Sequence, residues 1–82
     1  MSTRHVIIYS RSGCHLCDDA RAAIIEAMGT VGPANVVFDE RLIDGDDALE
    51  REYGLRIPVV EIDGVEEFEY QVDPAALRAL LT

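Results

Sequence analysis

The sequence has no lysine and no tryptophan, only two cysteines, and no long apolar run. Without lysine, seven arginines stand against sixteen aspartates and glutamates, giving a formal charge of −9. Nucleic-acid binding draws on clustered cations, so that class is set aside. The acids are scattered along the chain and read more simply as a solvated surface than as an acidic docking face. A secreted scaffold stapled by disulfides would show more cysteines, farther apart. A bridge between residues three apart closes a loop too small to constrain the unfolded chain much, so the pair calls for a chemical explanation. Nothing approaches the ~20 apolar residues that cross a bilayer, and no membrane partner is expected. Met1-Ser2-Thr3-Arg4-His5 runs into an apolar strand without a small-residue cleavage site, which makes a cytoplasmic location the default expectation.

What is present fits a small folded unit. Eighty-two residues with 49% hydrophobic content argue for one domain over residues 1–82 and against disorder. At this size a core is marginal, and few, regular elements are expected. His5-Val6-Ile7-Ile8-Tyr9 is a continuous β-branched run suited to a central strand, with Val6–Tyr9 at its heart. Ser10 to Gly13 forms a short polar loop. A helix then starts near Cys14, with Leu16, Ala20, Ile24, Ala27 and Met28 along one face, and ends through Gly29 and Gly32-Pro33. Val36-Val37-Phe38 reads as a second strand, completing a right-handed βαβ unit.

Asp44 or Asp46 can cap a short helix through Ala48, Leu49 and Tyr53, with Gly54 at its end. Pro58 to Ile62 is a third strand. Asp63-Gly64 is a two-residue hairpin signal leading antiparallel into Val65–Tyr70, where Glu66, Glu67 and Glu69 suit a protected sheet edge. Asp73-Pro74 is an N-cap with a first-turn proline, and Leu77, Leu80 and Leu81 form the stripe of a last helix. The order is β-α-β-α-β-β-α: an α/β fold with a four-stranded mixed sheet flanked by three helices.

The chemistry sits in Gly13-Cys14-His15-Leu16-Cys17. The thiolate is the reactive form of cysteine, and Cys14 lies at a helix start, where unpaired N–H groups and the positive dipole end favour an anion. Cys17, one turn inward and near the buried stripe, is expected to be the less exposed sulfur and to resolve a mixed disulfide by intramolecular attack. Cys14 therefore attacks and Cys17 resolves. Asp18, one turn after Cys14, would oppose the thiolate. Asp19 and Glu61 are candidate proton acceptors for Cys17, although solvated surface roles suit them better. His15 can tune Cys14, stand exposed with little effect, or ligate a metal. One Cys-X-X-Cys and one His fall short of a zinc site's four ligands, so no metal is expected. His5 reads as structural.

Tyr9-Ser10-Arg11-Ser12-Gly13-Cys14-His15-Leu16-Cys17, then Tyr53-Gly54-Leu55-Arg56-Ile57-Pro58-Val59, Asp63-Gly64 and Asp73-Pro74-Ala75-Ala76-Leu77, resembles the small bacterial glutaredoxin-like proteins of the thioredoxin superfamily over nearly the whole chain. The resemblance implies a thioredoxin-like fold and a thiol–disulfide oxidoreductase. It implies a cis Ile57–Pro58 bond facing the sulfurs, with the Ile57 backbone pairing with a bound peptide or thiol as an added strand would. Glutathione-dependent members carry a Gly-Gly pair before the last helix and often a lysine before the first cysteine. Here Tyr70-Gln71-Val72-Asp73 replaces the first and Arg11 is the nearest substitute for the second. Asp73 either grips a ligand amine or simply caps the helix. Arg11 either steadies the thiolate or a ligand carboxylate, or is a solvated loop arginine.

The expected substrate-binding set is Arg11, His15, Ile57, Pro58 and Asp73. The expected partners are a disulfide-containing protein or small thiol and a reductase, acting on a monomer. No cofactor is expected to bind tightly, with a low-molecular-weight thiol such as glutathione, or a reductase, as electron donor. The alternatives are a module holding a shared iron–sulfur cluster, and a redox-silent interaction domain.

Overall fold

The computed structural model describes residues 3–82. Met1 and Ser2, read above as the lead-in to the first strand, lie outside them. Strand β1 (Arg4–Ser10) is followed by helix α1 (His15–Val31), a 3-10 turn at Pro33–Asn35, β2 (Val36–Leu42), α2 (Asp47–Tyr53), β3 (Val59–Ile62), β4 (Val65–Glu69) and α3 (Pro74–Leu81). The sheet runs β2-β1-β3-β4. β1 pairs parallel with β2 and antiparallel with β3, and β3 pairs antiparallel with β4. The sheet is mixed, and its most apolar strand is interior, where both faces are covered. This is the α/β class and strand count expected. Among the described residues no helix is long and apolar enough to cross a membrane.

Strand alternation divides the core in two. Val6, Ile8, Val60 and Ile62 pack with Ala20, Ile24 and Ala27 of α1 and Leu77 and Leu81 of α3. Tyr9 and Val59 point the other way, against Ile43 and Tyr53, with Leu49 and Ile57 beside them. Tyr9 and Tyr53 stack with ring centroids 4.0 Å apart, and the Arg56 guanidinium lies 5.4 Å from the Tyr53 ring centroid. The same arginine bridges Glu66 at 2.7 Å and Glu69 at 3.3 Å, relieving the repulsion among acids on the edge strand β4.

Turn chemistry follows the residues. Asp63 and Gly64 both take positive φ, as a tight hairpin turn requires. The Asp63 carboxylate accepts from Arg4 at 2.8 Å and from the His5 N–H at 2.9 Å, locking the hairpin to β1. His5 serves structurally, its ring 2.7 Å from Asp39. Asp73 caps α3 through the Ala75 N–H at 3.0 Å.

Several boundaries differ from expectation. Gly29 does not end α1; the helix runs to Val31 and stops at Gly32, whose φ of 99° only glycine adopts readily. β2 continues past Phe38 to Leu42, because its backbone pairs with the full length of β1 whatever its side chains. The cap of α2 is Asp46, while Asp44 turns back to the Ser12 N–H at 3.3 Å. β3 begins at Val59, since Pro58 has no N–H to give the ladder. β4 ends at Glu69, where Tyr70 takes a φ of 68°. Leu16 is 40% exposed, at the edge of the stripe that Ala20, Ile24 and Ala27 centre.

Candidate active site

Tyr9 pairs with Val59 in the sheet, so the loop leaving β1 and the loop entering β3 emerge at the same end. The first carries Cys14 and the second Pro58. Cys14 is the N-cap of α1, in extended backbone, and its Sγ accepts the Cys17 N–H at 3.1 Å. A sulfur thus takes one of the free N–H groups of the helix start, where an anion is favoured. Cys14 and Cys17 are joined as a disulfide across a Cα–Cα distance of 5.2 Å. Cys14 is half-buried, whereas Cys17 is fully buried. This arrangement can cycle between dithiol and disulfide with one sulfur open to a partner.

The loop around Cys14 is pinned from α2. Arg11 lies 2.8 Å from the Glu50 carboxylate, in an ion pair without well-aligned hydrogen-bond geometry, and its Nη2 reaches the Gly54 carbonyl at 3.5 Å. The Ser12 hydroxyl and N–H hold the Asp44 carboxyl below its usual range. His15, the first residue of α1, is exposed. Ile57–Pro58 is cis and Pro58 is fully buried. The Pro58 carbonyl accepts the Tyr70 N–H at 2.9 Å, and the Tyr70 hydroxyl donates to the Leu55 carbonyl at 2.7 Å, so Tyr70 braces this loop at two points. Asp73 is occupied at its own cap. Among the described residues no group of three or more His, Cys, Asp or Glu side chains gathers where it could hold a metal ion.

Glu61 does not face Cys17. Strand alternation puts it on the α2 side of the sheet with Val59, where its carboxylate accepts the Tyr53 hydroxyl at 3.2 Å. Burial, first, and contact with Tyr9 and Glu61 raise the Tyr53 phenol above its usual range. Asp19 is exposed and lines a cavity with Leu16, Ala20, Tyr70, Gln71 and Val72.

A polar cluster not foreseen from the sequence lies on the α1 side. Ser10, fully buried, donates to Glu40 at 2.6 Å; Arg21 grips the same carboxylate with two nitrogens and reaches Asp18 at 2.9 Å. Asp18, expected to oppose the Cys14 thiolate, is therefore paired. Ser10, expected to open a polar loop, instead closes β1, and Arg21 one turn beyond Cys17 is easily read as solvated.

Residues 5–82 match the family described as a glutaredoxin-like domain (DUF836). An uncharacterized protein of Mycobacterium tuberculosis is 34% identical over 86 residues, covering 96% of this chain and 84% of its own length. The X-ray structure of a structural-genomics target protein from X. campestris is 38% identical, covers 93% of each chain and superposes with a TM-score of 0.69. Mitochondrial thioredoxin 3 from Saccharomyces cerevisiae, in its oxidized form, shares the fold at a TM-score of 0.68 with 16% identity, over 99% of this chain and 78% of its own. The chain belongs to the glutaredoxin-like domain family and has the thioredoxin fold.

Proposed function

We propose that this member of the glutaredoxin-like family is a thiol–disulfide oxidoreductase that reduces disulfides through Cys14 and Cys17. The observation that carries the reading is the asymmetry of the pair: a half-buried sulfur capping a helix, bonded to a fully buried sulfur one turn inward. In the dithiol state the Cys14 thiolate attacks one sulfur of a substrate disulfide. A Cys14–substrate disulfide forms, and the other substrate sulfur leaves as thiolate and takes a proton. The Cys17 thiolate then attacks Cys14 Sγ, closing the Cys14–Cys17 disulfide and releasing the second substrate thiol. Two electrons pass to the substrate. A low-molecular-weight thiol or a dithiol reductase returns them to the pair. The Cys17 N–H, held 3.1 Å from Cys14 Sγ, stabilises the thiolate whenever Cys14 attacks or leaves.

Arg11, bound to Glu50, acts in this reading by holding the loop rather than by gripping a ligand. Asp73 acts as a helix cap. His15 stays free to face the incoming substrate, and the Ile57 backbone before Pro58 offers the strand-like pairing edge. The test is turnover with NADPH, comparing glutathione plus its reductase, thioredoxin reductase, and a second low-molecular-weight thiol system. One of the three should sustain reduction of a small disulfide in the wild type and not in Cys14→Ser. Absence of turnover with all three, together with failure of the pre-reduced protein to pass its electrons to any disulfide, would remove the proposal.

A further inference from the structure

A cavity of about 200 Å³ is lined by Leu16, Asp19, Ala20, Tyr70, Gln71 and Val72. One wall is the first two turns of α1, and Leu16 belongs to the Cys-X-X-Cys motif itself. The other wall is the segment joining β4 to α3. Its rim is apolar and open: Leu16 and Tyr70 are 40% and 48% exposed. Tyr70 holds a φ of 68°, a strained value for a residue with a side chain, and is kept there by its bonds to Pro58 and Leu55. An aromatic ring held exposed in this way, lining one cavity with Leu16 of the Cys-X-X-Cys motif, is an anchor for a partner.

Charge narrows the partner. Asp19 is the one acidic side chain lining the cavity, and no arginine joins it among the described residues. The cations nearest the cysteines in sequence are already committed, Arg11 to Glu50 and Arg21 to Glu40 and Asp18. A disulfide bearing extra carboxylates, as glutathione disulfide does, finds no cation here. The chain's charge of −9 repels it at long range as well. We infer that the cavity receives an apolar side chain flanking the half-cystine of a protein disulfide, with a basic residue beside it pairing with Asp19. This rests on the oxidoreductase reading and names its substrate class: basic protein segments rather than anionic small thiols.

The experiment uses the full chain, reduced beforehand, so that no reductase choice enters. Two short peptides carry one cysteine as a mixed disulfide with a chromogenic aryl thiol, flanked by leucine and arginine in one and by leucine and glutamate in the other. The second-order rate of aryl-thiol release is read for each. The arginine peptide should react faster by about tenfold or more at low salt. Asp19→Asn should shrink that ratio about two- to fivefold, the worth of an exposed ion pair, and Asp19→Glu should preserve it. Glu26→Gln removes the same charge seven residues along α1, ~10 Å away, and should change the ratio little. Equal rates for the two peptides, or an Asp19→Asn effect no larger than that of Glu26→Gln, would overturn the inference while leaving disulfide reduction standing. Failure of the wild type to react even with hydroxyethyl disulfide would instead take down the oxidoreductase reading, and this inference with it.

Discussion

Ser10, fully buried at the end of β1, donates its hydroxyl to Glu40 of β2 at 2.6 Å. Arg21 of α1 takes the same carboxylate, so three elements meet at one charged group. Ser10 stands four residues before Cys14, and Arg21 four after Cys17. The cluster thus fixes both ends of the segment that carries the sulfurs. A buried hydroxyl needs a partner, and an ionised acceptor is a strong one.

Arg21, with Ser10 adding to it, holds the Glu40 carboxyl below its ordinary value of 4.5 against the opposing effect of desolvation. A carboxyl depressed in the fold favours the folded state above its unfolded value, and that contribution fades as pH falls through the folded value. Glu40→Gln should therefore cost about 1–2 kcal/mol near neutrality, discounted for partial exposure, and progressively less as the pH drops below 4.5. Urea unfolding of both proteins between neutral pH and about pH 3 checks this. A gap that stays constant over that range would show that the charge of Glu40 is not what holds the elements together.

Much of this was legible in the chain because local signals agreed with the fold. The apolar run through Ile7 and Ile8 could only be an inner strand, Asp63-Gly64 could only turn a hairpin, and Asp73-Pro74 announced a helix. The sulfur pair followed from its spacing and position before a helix. Periodicity misled at Leu16, which lies i−4 from Ala20 but at the margin of the buried stripe, so that it opens onto a cavity instead. The Ser10–Glu40–Arg21 cluster was illegible because it joins residues on three elements, with partners 30 and 19 positions apart. The role of Tyr70 depends on a backbone turn that no turn residue advertises.

Gly54 tests how firmly α2 holds the loop before Cys14. A Cβ built there would press on the Glu50 carbonyl oxygen, which already accepts the Gly54 N–H at 2.9 Å, while the Glu50 carboxylate pairs with Arg11. Gly54→Ala should destabilise the fold by about 1–3 kcal/mol, because helix backbone cannot yield as a flexible side chain does. Thermal unfolding measures it. An unchanged or raised midpoint would show that the end of α2 adjusts freely and does not serve as a rigid brace.

The reduced sulfurs should differ in reactivity. Cys14 is half-exposed at a helix end, and Cys17 is fully buried. Near neutral pH iodoacetamide should alkylate Cys14 at least about tenfold faster than Cys17. Arg21→Gln should slow the Cys14 reaction several-fold, because Asp18, i+4 from Cys14, would lose the guanidinium that now offsets its charge. Peptide mapping of the alkylated protein separates the sites. Equal labelling of the two cysteines would contradict the asymmetry on which the proposed function stands.

The roles of the two sulfurs are separable by trapping. Cys14→Ser should abolish exchange, because the remaining sulfur is buried beneath the first turn of α1 and cannot meet a substrate. Cys17→Ser should still attack, since the helix N–H that supports Cys14 Sγ belongs to the backbone and survives the change. Without a resolving sulfur the mixed disulfide should persist on Cys14 until an external thiol opens it. The wild type clears the same intermediate by an intramolecular step, whose effective concentration far exceeds that of a dilute thiol. Mass spectrometry of Cys17→Ser incubated with a disulfide peptide should show one adduct, on Cys14. An adduct forming on Cys17 in Cys14→Ser at a comparable rate would reverse the assignment. If neither variant forms an adduct and the wild type does not cycle, the pair is not an exchange centre at all.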